Sequence, residues 1–248
     1  VLNSLAIKSF SCADPNQPPE EIGVKRAVDA LDQIMANGGQ YPMTIAIDEP
    51  FMGGMLAANG RSCGFTIDQS AAVVARYLRR VKAAHPLTSI GIMEGYPHFS
   101  VDEIKSMITS LEAHGARIPF FHLDLVMQRS ALWNTDLPGD LAQLKTFFDS
   151  KNIKFGVLMT AALWQVGNDQ QFYDETMIMV ATVTQAVGIL PHTVFQSWEN
   201  YPGQTGPLTI PNNLTENDSH TLTKLTLDGW NLMLQMSGAP PQPGSLSL

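Results

Sequence analysis

Charge of either sign is scarce in this chain: 15 Lys and Arg stand against 23 Asp and Glu, charged residues make up only 15%, and the net charge is -8. Globular chains average roughly 25% charged residues. The shortage of cations excludes a protein that grips a phosphate backbone, because such proteins cluster Lys and Arg on one face. No nucleic-acid partner is expected. Long apolar runs are missing as well. The longest candidate, Met177 to Leu190, is interrupted by Thr182, Thr184 and Gln185 and falls short of the roughly 20 residues that span a bilayer. No membrane partner is expected either. Cysteine is nearly absent, with two in 248 residues.

What is present is a large apolar complement, 44% of the chain, enough for a substantial core. Much of the remaining polarity comes from Asn, Gln, Ser and Thr rather than from charge, which we read as extracellular. Cys12 and Cys63 each follow a strand-like run, so neighbouring strands could join them as one disulfide; two buried thiols would give the same pattern. Asn213-Leu-Thr and Asn217-Asp-Ser fit the glycosylation acceptor pattern in a Pro/Asn-rich loop, in keeping with a secreted or periplasmic protein. The chain begins at Val1 rather than Met, and an upstream segment is expected to have been removed.

Short β-branched runs alternate with longer segments whose apolar residues recur every three or four positions. The predicted strands are Leu2 to Phe10, Met43 to Glu49, Ser89 to Glu94, Pro119 to Val126, Lys154 to Thr160 and His192 to Trp198. Helices are predicted over Pro19 to Asn37, Thr66 to Ala84, Ser100 to His114, Pro138 to Ser150, Asp169 to Val187 and Ser219 to Gln235. Ser100-Val-Asp-Glu103 reads as a capping box, and Gly38, Gly115 and Gly188 provide the left-handed residue that closes a helix.

A strand followed each time by a crossover helix implies an α/β fold with parallel strands. Polar residues gather at the strand ends, and no glycine-rich phosphate loop follows any strand, which favours a (β/α)8 TIM barrel over a Rossmann-type sheet. The 248 residues over six units give about 41 per unit, and eight such units would need about 330. The expected architecture is therefore a single barrel domain over residues 1–237 with its first two units absent and a Pro/Gly/Ser tail from Gly238 to Leu248. The absent segment, as a second chain, is then a partner for the exposed strand edge.

The sharpest local pattern is Ile45-Ala-Ile-Asp-Glu-Pro-Phe51, a buried strand ending in Asp48 and Glu49, and Ile90-Gly-Ile-Met-Glu94 repeats the design. A carboxyl at a strand end, partly desolvated, suits general-acid work. With adjacent strands about 4.8 Å apart, Glu49 and Glu94 could approach to roughly 5 to 8 Å, which covers both geometries of glycoside hydrolysis. His122 and Asp124 share parity on one strand and point to one side, either as core polarity or as site groups. Gln196 and Trp198 share one face of the last strand, with Ser197 and Glu199 on the other. Tyr96, Trp164, Tyr201 and Trp198 are candidate platforms for the apolar face of a sugar ring, while Trp133 falls in a long loop. No Gly-x-Ser-x-Gly elbow, His-Glu-x-x-His helix or Cys-x-x-Cys pair is present.

These residues resemble the glycoside hydrolase superfamily of (β/α)8 barrels, in particular the retaining clan whose acid/base Glu ends a strand in an Asn-Glu-Pro-like motif. The motif here is Asp48-Glu49-Pro50, and Gln-Ser-Trp-Glu199 closes the last strand. The resemblance implies a glycosidase acting on a poly- or oligosaccharide, with Glu49 as acid/base, Asp48 at the sugar 2-hydroxyl and Trp198 as platform. The penultimate strand, Phe155-Gly-Val-Leu-Met-Thr160, lacks the clan's nucleophile, leaving Glu94, Asp124 or Glu199 for that role; Lys8 could pair with Glu49. No cofactor is expected on this reading. Two other readings fit the same residues. One is a divalent-metal isomerase or lyase with Glu49, Glu94, His122 and Asp124 as ligands to Mg²⁺ or Mn²⁺, and the other is a non-catalytic sugar-binding barrel.

Overall fold

The computed structural model describes Cys12, residues 16–41, 44–55, 63–162 and 166–197, Ile210 and residues 215–238. Its elements run α1 (Glu21–Ala36), β1 (Thr44–Asp48), α2 (Pro50–Met55), α3 (Ile67–Ala84), β2 (Ser89–Tyr96), α4 (Val101–Ala113), β3 (Phe120–Leu125), α5 (Met127–Leu132), α6 (Leu137–Ser150), β4 (Lys154–Met159), α7 (Asp169–Val187), β5 (His192–Phe195) and α8 (Leu222–Met236). The strands form one sheet in sequence order, β1-β2-β3-β4-β5. The pairs β1 with β2 and β4 with β5 are parallel. Strands laid down in chain order with a helical crossover after each are what successive βα units produce.

This is an α/β protein with a five-stranded sheet among the described residues, fewer strands than the eight that close a barrel. The predicted strand Leu2 to Phe10, with Lys8, lies outside the described residues. The remaining five predicted strands and all six predicted helices are found within a few residues of their expected ends. Two short helices, α2 and α5, stand where the sequence suggested only loop; at six residues each they are too short to show a helical period. The chain divides by its contacts into two units. One holds the residues up to Leu123 together with Phe148–Lys154, and the other holds Asp124–Phe147 and the residues from Phe155 on.

In the first unit, β1 and β2 are buried along nearly their whole length, as strands covered on both faces must be. Gly91 has a specific reason to be glycine: a Cβ there would lie 2.3 Å from the Phe120 ring. The helices are held by their caps. Ser100 and Glu103 make the expected capping box on α4, and Thr66 with Gln69 makes a second one on α3. Helix α3 is tied to the start of α1 by Arg76, whose guanidinium donates twice to Glu20 at 2.8 and 3.0 Å. Since the Glu20 side chain is only 2% exposed, that pair keeps a buried charge compensated. Cys12 and Cys63 are joined as a disulfide with Cα atoms 5.5 Å apart.

The second unit packs Phe172, Leu225, Val166, Ala161 and Ile210 into its own core. Asn168 caps α7 by accepting from the Gln171 amide at 2.9 Å, and Thr221 caps α8 through the Lys224 amide. Tyr173 on α7 donates to Asp228 on α8, and burial of the phenol, helped by that carboxylate, pushes the tyrosine pKa up. Lys224 meets the same Asp228 at 2.8 Å. Strand β5 is half-buried throughout, and the Phe195 ring sits where a Cβ on Gly229 would be, 2.6 Å away.

Candidate functional site

The carboxyl-bearing strand ends of the first unit lie together. In the parallel register of β1 and β2, Asp48 faces Met93, and the ladder continues one step beyond β1, with the Glu49 amide donating to the Met93 carbonyl at 2.8 Å. Glu49 therefore stands beside Met93 and Glu94 of the neighbouring strand. At that point the chain turns sharply. Glu49 has φ of 44°, a left-handed conformation that costs a bulky side chain of order 1 kcal/mol or more. Its carbonyl accepts from Gly53 at 2.9 Å, which makes Glu49 the residue from which α2 begins. Pro50 occupies the first helical position, where its fixed φ suits the helix and its missing N–H is not needed.

Glu94 closes the arrangement from the adjacent strand. Its carboxyl accepts from the Phe51 amide at 2.6 Å and, at a longer 3.4 Å, from the Met52 amide. These are two of the orphan donors that every helix leaves in its first turn. Glu94 has no exposed surface. Burial pushes its pKa well above the ordinary glutamate range, the two amides oppose that rise, and the nearby carboxylates of Glu49 and Asp48 add to it.

Asp48 and Glu49 are themselves only half-buried, so they keep a route to solvent that Glu94 lacks. The Glu49 carboxyl lies over Gly95: a Cβ there would stand 3.0 Å from Glu49 Oε1, 3.0 Å from His98 and 3.2 Å from Met52. Glycine at 95 thus leaves the space in which the carboxylate rests. Here the partly open acid and the buried acid are different residues, and the resulting group is a surface-reaching pair, Asp48 and Glu49, with the buried carboxyl of Glu94 behind it. Such a pair can donate or accept a proton.

The other predicted site residues divide. Tyr96, expected just beyond a strand end as a platform, is the last residue of β2 and only 1% exposed. Its ring is core, because the strand runs two residues further than predicted and carries the tyrosine inside. His122 is 3% exposed and packs against Phe120 with ring centroids 4.7 Å apart, as the shared parity of the two residues requires. Asp124 and Gln196 belong to the second unit. Gln196 follows β5 and donates its amide to the Met159 carbonyl at 3.2 Å, so its backbone extends the β4–β5 ladder. Trp164, Trp198, Glu199 and Tyr201 lie outside the described residues. Trp133, at the end of α5, is 53% exposed beside an exposed Leu132. Among the described residues no group of three His, Cys, Asp or Glu is placed to hold a metal ion.

A cavity of about 410 Å³ lies elsewhere, around the starts of β2 and β3, lined by Leu78, Lys82, Leu87 and Arg117 among others. No carboxylate is among its lining residues.

No family model matches the chain, and no curated protein matches it. Among solved structures it is similar to one described as a "putative racemase", at 13% identity and a TM-score of 0.39, over 77% of this chain and 45% of that one. The chain thus spans less than half the length of that structure.

Proposed function

We propose that the protein is a secreted enzyme of glycoside hydrolase type that works by carboxylate acid/base chemistry on a poly- or oligosaccharide, with Glu49 as the proton donor. The observation that carries the reading is the placing of Glu49: a half-buried carboxyl at the end of a buried strand, on left-handed backbone, inside the sequence Asp48-Glu49-Pro50. Backbone strain of this kind clusters at working sites, because surrounding structure must over-determine it to keep it. Asp48, also half-buried, is assigned to a sugar hydroxyl beside the bond that breaks. The disulfide between Cys12 and Cys63 fits an oxidising compartment, and no described helix is long and apolar enough to cross a membrane.

The test is direct. Purified protein is incubated with a panel of plant, fungal and bacterial polysaccharides and aryl glycosides, alongside Glu49→Gln, and released reducing ends are measured. The substitution keeps the shape of the side chain and removes its proton chemistry. Turnover should fall by about 10² to 10⁴ with the thermal transition unchanged. Equal turnover by both proteins would remove Glu49 from the chemistry.

A further inference from the structure

We infer that Glu94 is a positioning residue for Glu49 and not a second reacting group: from the neighbouring strand it holds the first turn of α2, and through that turn it fixes where the Glu49 carboxyl points. The inference rests on the acid/base role proposed for Glu49.

Three observations carry it. The first is access. A nucleophile or a base that activates water must touch its reactant, and Glu94 is 0% exposed. The second is occupation. Glu94 Oε1 and Oε2 accept from Phe51 and Met52, the two amides that follow Glu49 and Pro50 in the chain. Glu94 thus substitutes for the local side-chain cap that usually satisfies a helix start. The third is strain. Glu49, with φ of 44°, needs an outside contact to hold its conformation, and the bonds from β2 to α2 are made within three residues of it.

Together these make a lever. The rigid strand β2 presents a carboxyl to a six-residue helix too short to hold itself, and the helix start in turn sets the backbone of Glu49. Gly95, next along β2, leaves the space the Glu49 carboxyl occupies. One strand therefore supplies both the anchor and the space for the neighbouring acid. A neutral amide can replace the anchor, because only acceptance from the Phe51 N–H is required of Oε1.

The experiment compares wild type, Glu94→Gln, Glu94→Ala and Glu49→Gln. Two quantities are read: amide hydrogen exchange at Phe51 and Met52, and turnover of the glycoside that the wild type cleaves. Glu94→Gln should keep the Phe51 amide protected, as Oε1 still accepts from it, and keep turnover within about tenfold of wild type, with the pH–rate profile unmoved. Glu94→Ala should lose about tenfold of protection at Phe51 and lose turnover through kcat more than through KM.

A folded Glu94→Gln as inactive as Glu49→Gln would overturn the inference, since Glu94 would then be reacting itself. Protection that survives in Glu94→Ala would overturn it as well. If Glu94→Ala does not fold, the Glu94→Gln comparison still decides. If the wild type cleaves no glycoside, the proposed activity fails, while the exchange pattern at Phe51 and Met52 still reports whether Glu94 anchors the turn.

Discussion

Strand β1 finishes in Asp48, with Glu49 one residue on, and β2 carries Glu94 two residues before its last, Tyr96, whereas β4 and β5 finish in Met159 and Phe195 with Thr160 and Gln196 beyond them. Both pairs are parallel and both continue their ladder one step past the strand end, through the Glu49 amide in one and the Gln196 amide in the other. What separates them is the side chain carried there and the partner it meets. In the first pair the chain turns into a helix whose opening amides reach back to Glu94, so a fully buried carboxyl is tolerated. In the second pair the Thr160 amide is directed at the Met179 sulfur at 3.4 Å, and the strand ends carry neutral side chains. A buried acid at a strand end requires donors built by the following turn.

Several substitutions would break or sharpen that contrast. The largest effect is expected at the chemistry, where Glu49→Gln should cost about 10² to 10⁴ in turnover and leave the fold intact, as measured by reducing-end release beside a thermal melt. Next comes an acid placed at the buried, neutral end of the second pair. Thr160 is 3% exposed, and Thr160→Asp should destabilise by about 3 kcal/mol, read by denaturant unfolding. Equal stability with wild type would show that the second pair accepts an acid as readily as the first.

Two glycines compare the packing of the units. A Cβ on Gly91 meets the Phe120 ring at 2.3 Å, and one on Gly229 meets Phe195 at 2.6 Å. Phe120 is 1% exposed and has no space to yield, while Phe195 is half-buried. Gly91→Ala should therefore cost about 1–3 kcal/mol and Gly229→Ala less, both read from denaturation midpoints. The reverse order would place the tighter packing in the second unit.

The smallest effect is in pH dependence. Because burial raises the Glu94 pKa above the ordinary value of 4.5, the folded state binds that proton more tightly than the unfolded state does. The stabilisation is complete below about pH 4.5 and is lost as pH rises through the folded value. Glu94→Gln has no proton to lose, so its stability relative to wild type should be flat at low pH and climb above it. A constant difference across the range would mean that Glu94 is ionised in the fold.

Much of this was legible in the chain and some was not, for identifiable reasons. Alternating period-2 and period-3.6 stretches located five described strands and six long helices, and Ser100 with Glu103 announced the start of α4. Thr66-x-x-Gln69 carried the same capping signal and could have been read on α3. Pro50, directly after the predicted strand, is the first residue of α2, because a proline suits both a strand's end and a helix's first position. The sequence places Glu94 on the strand next to Glu49, but parity cannot tell in from out on a strand buried along its length, and nothing local shows that the amides it meets belong to residues 51 and 52. Tyr96 lies inside for a related reason: the strand runs on through Gly95 beyond its predicted end at Glu94.

The measurement that tests the central claim most directly is reducing-end release from a glycan panel by the wild-type protein and by Glu49→Gln, at equal folded concentration. Release by the wild type and its near-complete loss in the variant is the predicted result. No release by the wild type from any member of the panel, or equal release by both, would contradict it.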